Sequence, residues 1–148
     1  MLGRLALASA CLSGCAFSPP AQSRMAPPNK DLASQLYQAI WHDLQSNALI
    51  GNGNELAARW ANAGADGEDG PTLHIQNLVC GGGEKQLRCK FGLLRDGGVA
   101  MYLGHLAPDR LACAANFRRS TEGWSIPRSP PGSKGGHSRI TIKCEPLA

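Results

Sequence analysis

Residues 72–80, TLHIQNLVC, and residues 86–94, QLRCKFGLL, flank the glycine-rich run 81–85, GGGEK. Both flanks read as strands, and glycines between them supply the positive φ that a tight hairpin needs. Cys80 and Cys89 then face each other across the base of that hairpin. An antiparallel pair at this place fixes the character of the rest of the chain.

Downstream the period stays at two. Further strands are predicted over 99–103, 110–120, 124–126 and 138–144. Leu111, Cys113, Ala115 and Phe117 fall on one face of their run, as do Ile140, Ile142 and Cys144 of theirs. Asp96-Gly97 is a strong hairpin-turn signal, and 129–136, SPPGSKGG, is a loop that no strand absorbs. Upstream the period changes. Leu32, Leu36, Ile40 and Leu44 recur every fourth residue, with Tyr37 and Trp41 beside them, so 30–49 is predicted as an amphipathic helix. Asn29 is its N-cap, and Gly51-Asn52-Gly53 stops it. A short second helix is expected over 54–63, capped by Asn54, before the polar breaker 65–71. Helices first and hairpin-connected strands afterwards mean α+β: one or two N-terminal helices packed on an antiparallel sheet of about four to six strands. Small bacterial outer-membrane assembly lipoproteins show a similar order of elements, a likeness of layout alone.

The chain has 148 residues, enough for one domain, which is read over 30–148. Only 5% of its residues are aromatic while six are cysteine, so cross-links are expected to supplement a modest core. In the domain itself Cys80, Cys89, Cys113 and Cys144 allow three pairings. The hairpin favours Cys80–Cys89, and the shared inward face favours Cys113–Cys144. Chain entropy assigns these about 2.7 and about 3.7 kcal/mol. A zinc site would need cysteine or histidine pairs at closer spacing, and no metal or other cofactor is expected.

The first fifteen residues, MLGRLALASACLSGC, carry Arg4 near their start and continue as an apolar run over 5–12. A charged start before a short apolar run is the pattern of a secretory signal, and it is too short to span a bilayer. Leu12-Ser13-Gly14-Cys15 resembles the lipobox of bacterial lipoproteins. The resemblance implies that 1–14 are removed and that Cys15 is fatty-acylated. It further implies an envelope location, and Ala16 in place of Asp implies the outer membrane, facing the periplasm. Cleavage after Ala8-Ser9-Ala10 and acylation of Cys11 are the competing readings; the first leaves too short an apolar run, and the second puts Ala8 where the family prefers Leu. Residues 15–29, rich in proline, are read as lipidated cysteine and tether.

No G-x-S-x-G, H-E-x-x-H, P-loop or G-x-G-x-x-G pattern occurs, so no enzyme activity is expected. His42, His74, His105 and His137 are scattered, the third in a loop before Pro108. Charge is the one asymmetry. Residues 30–79 carry Lys30 and Arg59 against Asp31, Asp43, Glu55, Asp66, Glu68 and Asp69, whereas 80–148 are basic. Arg118, Arg119, Trp124, Arg128, Lys134 and Arg139 make a candidate binding patch, since guanidinium forks hold phosphate and carboxylate and Trp offers a stacking face. The expected partners are membrane lipid through Cys15 and an anionic envelope component or acidic protein; nucleic acid is not expected. The function read from the sequence is a non-catalytic interaction module. The alternative is an inhibitor of a hydrolase, offering a loop such as 129–136.

Overall fold

The computed structural model describes residues 24–50, 54–63, 72–128 and 142–147. Two helices, α1 (Lys30–Ile50) and α2 (Glu55–Asn62), precede seven strands. These are β1 (Leu73–Gly82), β2 (Gln86–Arg95), β3 (Met101–Tyr102), β4 (His105–Leu106), β5 (Arg110–Ser120), β6 (Gly123–Ser125) and β7 (Lys143–Pro146). The main sheet is antiparallel and runs β1-β2-β5-β6, with β7 also paired to β5; β3 and β4 form a separate two-stranded sheet. The α+β architecture is as the periodicity predicts, helices on one face of the sheet.

Both helices start at the expected caps. Asn29 accepts from Leu32 N–H at 2.9 Å and Asn54 from Ala57 N–H at 3.0 Å, each satisfying an orphan donor of the first turn. Leu36, Ile40 and Leu44 of α1 and Ala57 and Trp60 of α2 are buried. They meet Leu78, Cys89, Phe91, Leu93, Leu111, Ala115 and Phe117 of the sheet in one core. Trp41 stacks on Trp60 with centroids 5.9 Å apart, fastening α1 to α2. Asn54 also donates its amide to Cys144 C=O, holding the start of α2 over β7.

The two disulfides join residues that stand directly opposite on neighbouring strands: Cys80 with Cys89 across β1–β2, and Cys113 with Cys144 across β5–β7. All four cysteines lie within the core. The glycine-rich turn is closed by Gly83 N–H donating to Gln86 C=O at 2.9 Å. Gly82 has φ +139°, and a Cβ there would come within 2.4 Å of Gln86 C=O, so only glycine fits.

Several expectations are corrected. The sheet register shifts between Gln76 and Val79, where Asn77 sits at φ +56°. This extra residue returns Leu78 and Cys80 to the core face, which Leu73 and Ile75 serve before it. Asp96-Gly97 does not fold a strand back onto β2, because both edges of β2 are already taken by β1 and β5. The chain instead leaves the sheet, and of the expected strand 99–103 only Met101–Tyr102 pairs, with His105–Leu106, so His105 is in a strand rather than a loop. The last two strands are Gly123–Ser125 and Lys143–Pro146 rather than 124–126 and 138–144, and 138–141 lie outside the described residues. The end of the proline-rich stretch is no free tether. Ala26 and Cys80 exchange both backbone hydrogen bonds at 2.8 Å in an antiparallel bridge on the open edge of β1. Cys15 and residues 1–23 lie outside the described residues.

Candidate functional site

The basic patch read from the sequence is divided by the sheet. Arg118 and Arg119 are consecutive on β5, opposite Ser125 and Trp124 respectively, so their side chains leave opposite faces. Trp124 is half-buried against the core on the helix side. Arg128 is exposed and close enough to the carboxyl of Asp43 to act on it electrostatically. Trp124 and Arg128 line one groove and Arg118 another; Lys134 and Arg139 lie outside the described residues.

The first groove, about 490 Å³, lies between α1 and the β5–β6 turn. Its walls include Gln35, Gln38, His42 and Asp43 of α1 facing Glu122, Trp124 and Arg128. Asp43 is 5% exposed, and its Oδ2 has no hydrogen-bond partner among the described residues. Burial pushes its carboxyl up from 3.8 to about 7, against the pull of Arg128. This places a carboxyl that is half-protonated near neutrality beside a guanidinium. Ser120 Oγ is committed to the turn, donating to Gly123 C=O and accepting from Glu122 N–H. Among the described residues the histidine–carboxylate contact is His74 with Asp96 at 3.1 Å, exposed and remote from this groove. The arrangement can hold a polar ligand, but it brings no base onto a nucleophile. No group of three metal-ligating side chains occurs among the described residues.

The second groove, about 420 Å³, lies at the glycine-rich end of the sheet and is lined by Gln86, Arg88, Asn116 and Arg118. Arg88 stands opposite Asn116 and Gln86 opposite Arg118, so the two guanidiniums are diagonal neighbours on the face away from the helices. Lys90 and Lys143 continue that face on either side of Ala114. All four cations are exposed, and none has an ion-pair partner among the described residues.

A third feature stands at the other end. Between Arg95 and Arg110 the chain leaves the sheet as a projecting hairpin whose residues 97–108, GGVAMYLGHLAP, carry no Asp, Glu, Lys or Arg. Val99, Met101, Leu103 and Leu106 are 81%, 58%, 81% and 64% exposed. Leu103 and Gly104 turn the tip with φ +48° and +76°, the signature of a primed two-residue loop that usually takes Asn-Gly. The base is clamped by Arg95, itself 3% exposed. Its guanidinium donates to Gly98 C=O at 2.6 Å, to Ala107 C=O at 3.3 Å and to the carboxylate of Asp109. The base of the hairpin is therefore fastened to the end of β2.

No protein family, no curated protein and no solved structure matches this chain. Its functional reading rests on its own residues. Among the described residues no helix is long and apolar enough to cross a membrane.

Sequence reasoning missed three of these groups, and each left a signal. Asp43 lies seven residues after Leu36 and three after Ile40, on the apolar stripe of α1. Arg95 continues the inward series Cys89, Phe91, Leu93 of β2. The hairpin is the charge-free run 97–108.

Proposed function

We propose that this chain is a lipid-anchored, non-catalytic interaction module of a bacterial cell envelope, held through acylated Cys15 at the outer membrane and facing the periplasm. The two core disulfides support this compartment, since such bonds persist where the surroundings are oxidising. The lipobox-like Leu12-Ser13-Gly14-Cys15 supports the anchor.

The observation that carries the interaction reading is the charge-free hairpin 97–108, with Val99, Met101, Leu103 and Leu106 exposed on it. Its four large apolar side chains expose on the order of 500 Å², close to the largest patch of an ordinary monomer. That falls short of the roughly 800 Å² per partner typical of a stable complex, so a second copy is a poor occupant by itself. An envelope protein with an uncharged apolar cleft fits better, because Leu103 at the tip needs a pocket and nothing on the hairpin needs a counter-charge. The inhibitor reading gains little from this hairpin. Loops that enter a hydrolase cleft in substrate fashion present extended backbone, whereas Leu103 and Gly104 both have positive φ. The loop 129–136 offered for that role lies outside the described residues.

A photo-reactive residue at position 103, in living cells, is expected to give one discrete protein adduct. Met101→Ser with Leu106→Ser should abolish it. An absence of adduct from position 103, beside a normal yield of oxidised, folded chain, would refute the reading. Mass analysis of the amino-terminal fragment tests the anchor separately.

A further inference from the structure

The sheet has two chemically opposite ends. At the glycine-rich end stand Lys85 in the turn, Arg88 on β2 and Arg118 and Arg119 at the end of β5, all exposed. Glu84 and Glu122 are the acids among them. At the other end, beyond a strand of ten residues and so about 33 Å away, the uncharged hairpin projects.

The direction of the N-terminal segment links this polarity to a membrane. Ala26 pairs with Cys80 in antiparallel sense. Residues before Ala26 therefore run alongside β1 toward Gly82, not toward Leu73. Arg24, exposed, is carried to the glycine-rich end and adds a fifth cation there. Even fully extended, the chain between Cys15 and Arg24 reaches only about 30 Å. A membrane that holds Cys15 therefore lies within about 30 Å of Arg24 at the basic end.

We propose that the glycine-rich end of the sheet, through Arg24, Lys85, Arg88, Arg118 and Arg119, seats on the anionic headgroups of a bilayer. None of the five cations has an ion-pair partner among the described residues, so none must first give up an acid. Arg88 and Arg118, diagonal on one face with Asn116 and Gln86 beside them, form a fork that suits a lipid phosphate. Arg119 leaves the opposite face, so the cations straddle the end of the sheet rather than line one side of it. A broad charged plane fits that distribution better than a single acidic protein surface. The inference rests on the anchored reading for the choice of membrane, but its charge and geometry stand without the acyl chain.

The test uses residues 15–148 carrying Cys15→Ser, the chain left once 1–14 are removed and one that cannot be acylated, sedimented with phosphatidylethanolamine–phosphatidylglycerol vesicles and with phosphatidylcholine vesicles. Partition onto the anionic vesicles is expected to exceed that onto neutral ones and to fall steeply with salt. Each cation near the surface is worth roughly fivefold, so Arg88→Gln with Arg118→Gln should lower partition about twenty-fivefold. Arg88→Lys with Arg118→Lys should retain most of it, and all these side chains are exposed, so the fold is not at stake. Equal partition of the Gln variant, or equal binding to neutral vesicles, overturns the proposal. Full displacement by millimolar inorganic phosphate at constant ionic strength also overturns it, because the site would then take free phosphate. Because the chain tested lacks the anchor, an unmodified Cys15 in cells would sink the anchored reading and leave this result standing.

Discussion

Asp43→Asn should make the protein more stable above neutral pH and flatten its pH dependence. Asp43 is 5% exposed on the apolar stripe of α1 and its carboxyl is raised from 3.8 to about 7 by burial. In the unfolded chain the group ionises near 3.8; in the fold it keeps its proton to about 7. Between those values the native state binds more protons than the unfolded one, so stability falls as pH rises through this window and is level above it. The separation corresponds to about 4 kcal/mol. That is a large share of the roughly 5–15 kcal/mol that holds a domain together. Asparagine copies the shape of the neutral acid and cannot ionise. Urea unfolding followed by far-UV circular dichroism, with disulfides intact, at pH 4 and pH 8 is the assay. The variant should match the parent within about 1 kcal/mol at the lower pH and exceed it by about 3–4 kcal/mol at the higher. Contributions from the histidines cancel in that difference. Parallel pH profiles for the two proteins would show that Asp43 is ionised in the fold and that the account of its burial is wrong.

Three further outcomes follow from other parts of the fold. Cys80→Ala with Cys89→Ala should cost about 3 kcal/mol, and Cys113→Ala with Cys144→Ala somewhat more because the loop is longer, both read by urea midpoints. Arg95→Met should cost about 2–3 kcal/mol by leaving the carbonyls of Gly98 and Ala107 without their donor. Limited proteolysis should then cut within 96–109 while the rest of the sheet stays protected. Leu103→Asn should raise stability by about 1 kcal/mol, since Asn accepts positive φ more readily than Leu and the exposed side chain loses no packing. A fall in melting temperature would mean that Leu103 packs within the monomer.

Much of the architecture is legible because it is written in local periods. The four-residue recurrence of Leu32, Leu36, Ile40 and Leu44 gives α1, and Asn29 and Asn54 mark the helix starts through hydrogen bonds only a turn long. The strands read over 86–94 and 110–120 emerge within one residue of the observed Gln86–Arg95 and Arg110–Ser120, because alternation on a half-buried sheet is unambiguous over about nine or more residues. The disulfide pairing follows from the same alternation. What escaped depends on tertiary context. Asp96-Gly97 has the chemistry of a hairpin turn, yet whether β2 has a free edge is decided by β5, fifteen residues on. The extra residue at Asn77 is invisible to a period-two reading, which places Leu78 outward. Consecutive arginines at 118 and 119 look like one patch in sequence, but the pleat sends them apart. Asp43 and Arg95 escape a sequence reading because a charged residue at an inward position looks like an interruption, not a buried group.

The disulfides join first cysteine to second and third to fourth along the domain. On the exported reading proposed above, a polypeptide threaded amino end first through a narrow channel releases Cys80 and Cys89 before any other thiol of the domain is outside. Cys113 then waits for Cys144, whose only unpaired neighbour it is by that time. An oxidase that links thiols in order of arrival makes the native bonds at its first attempt, so the chain can mature without an isomerase to rearrange them.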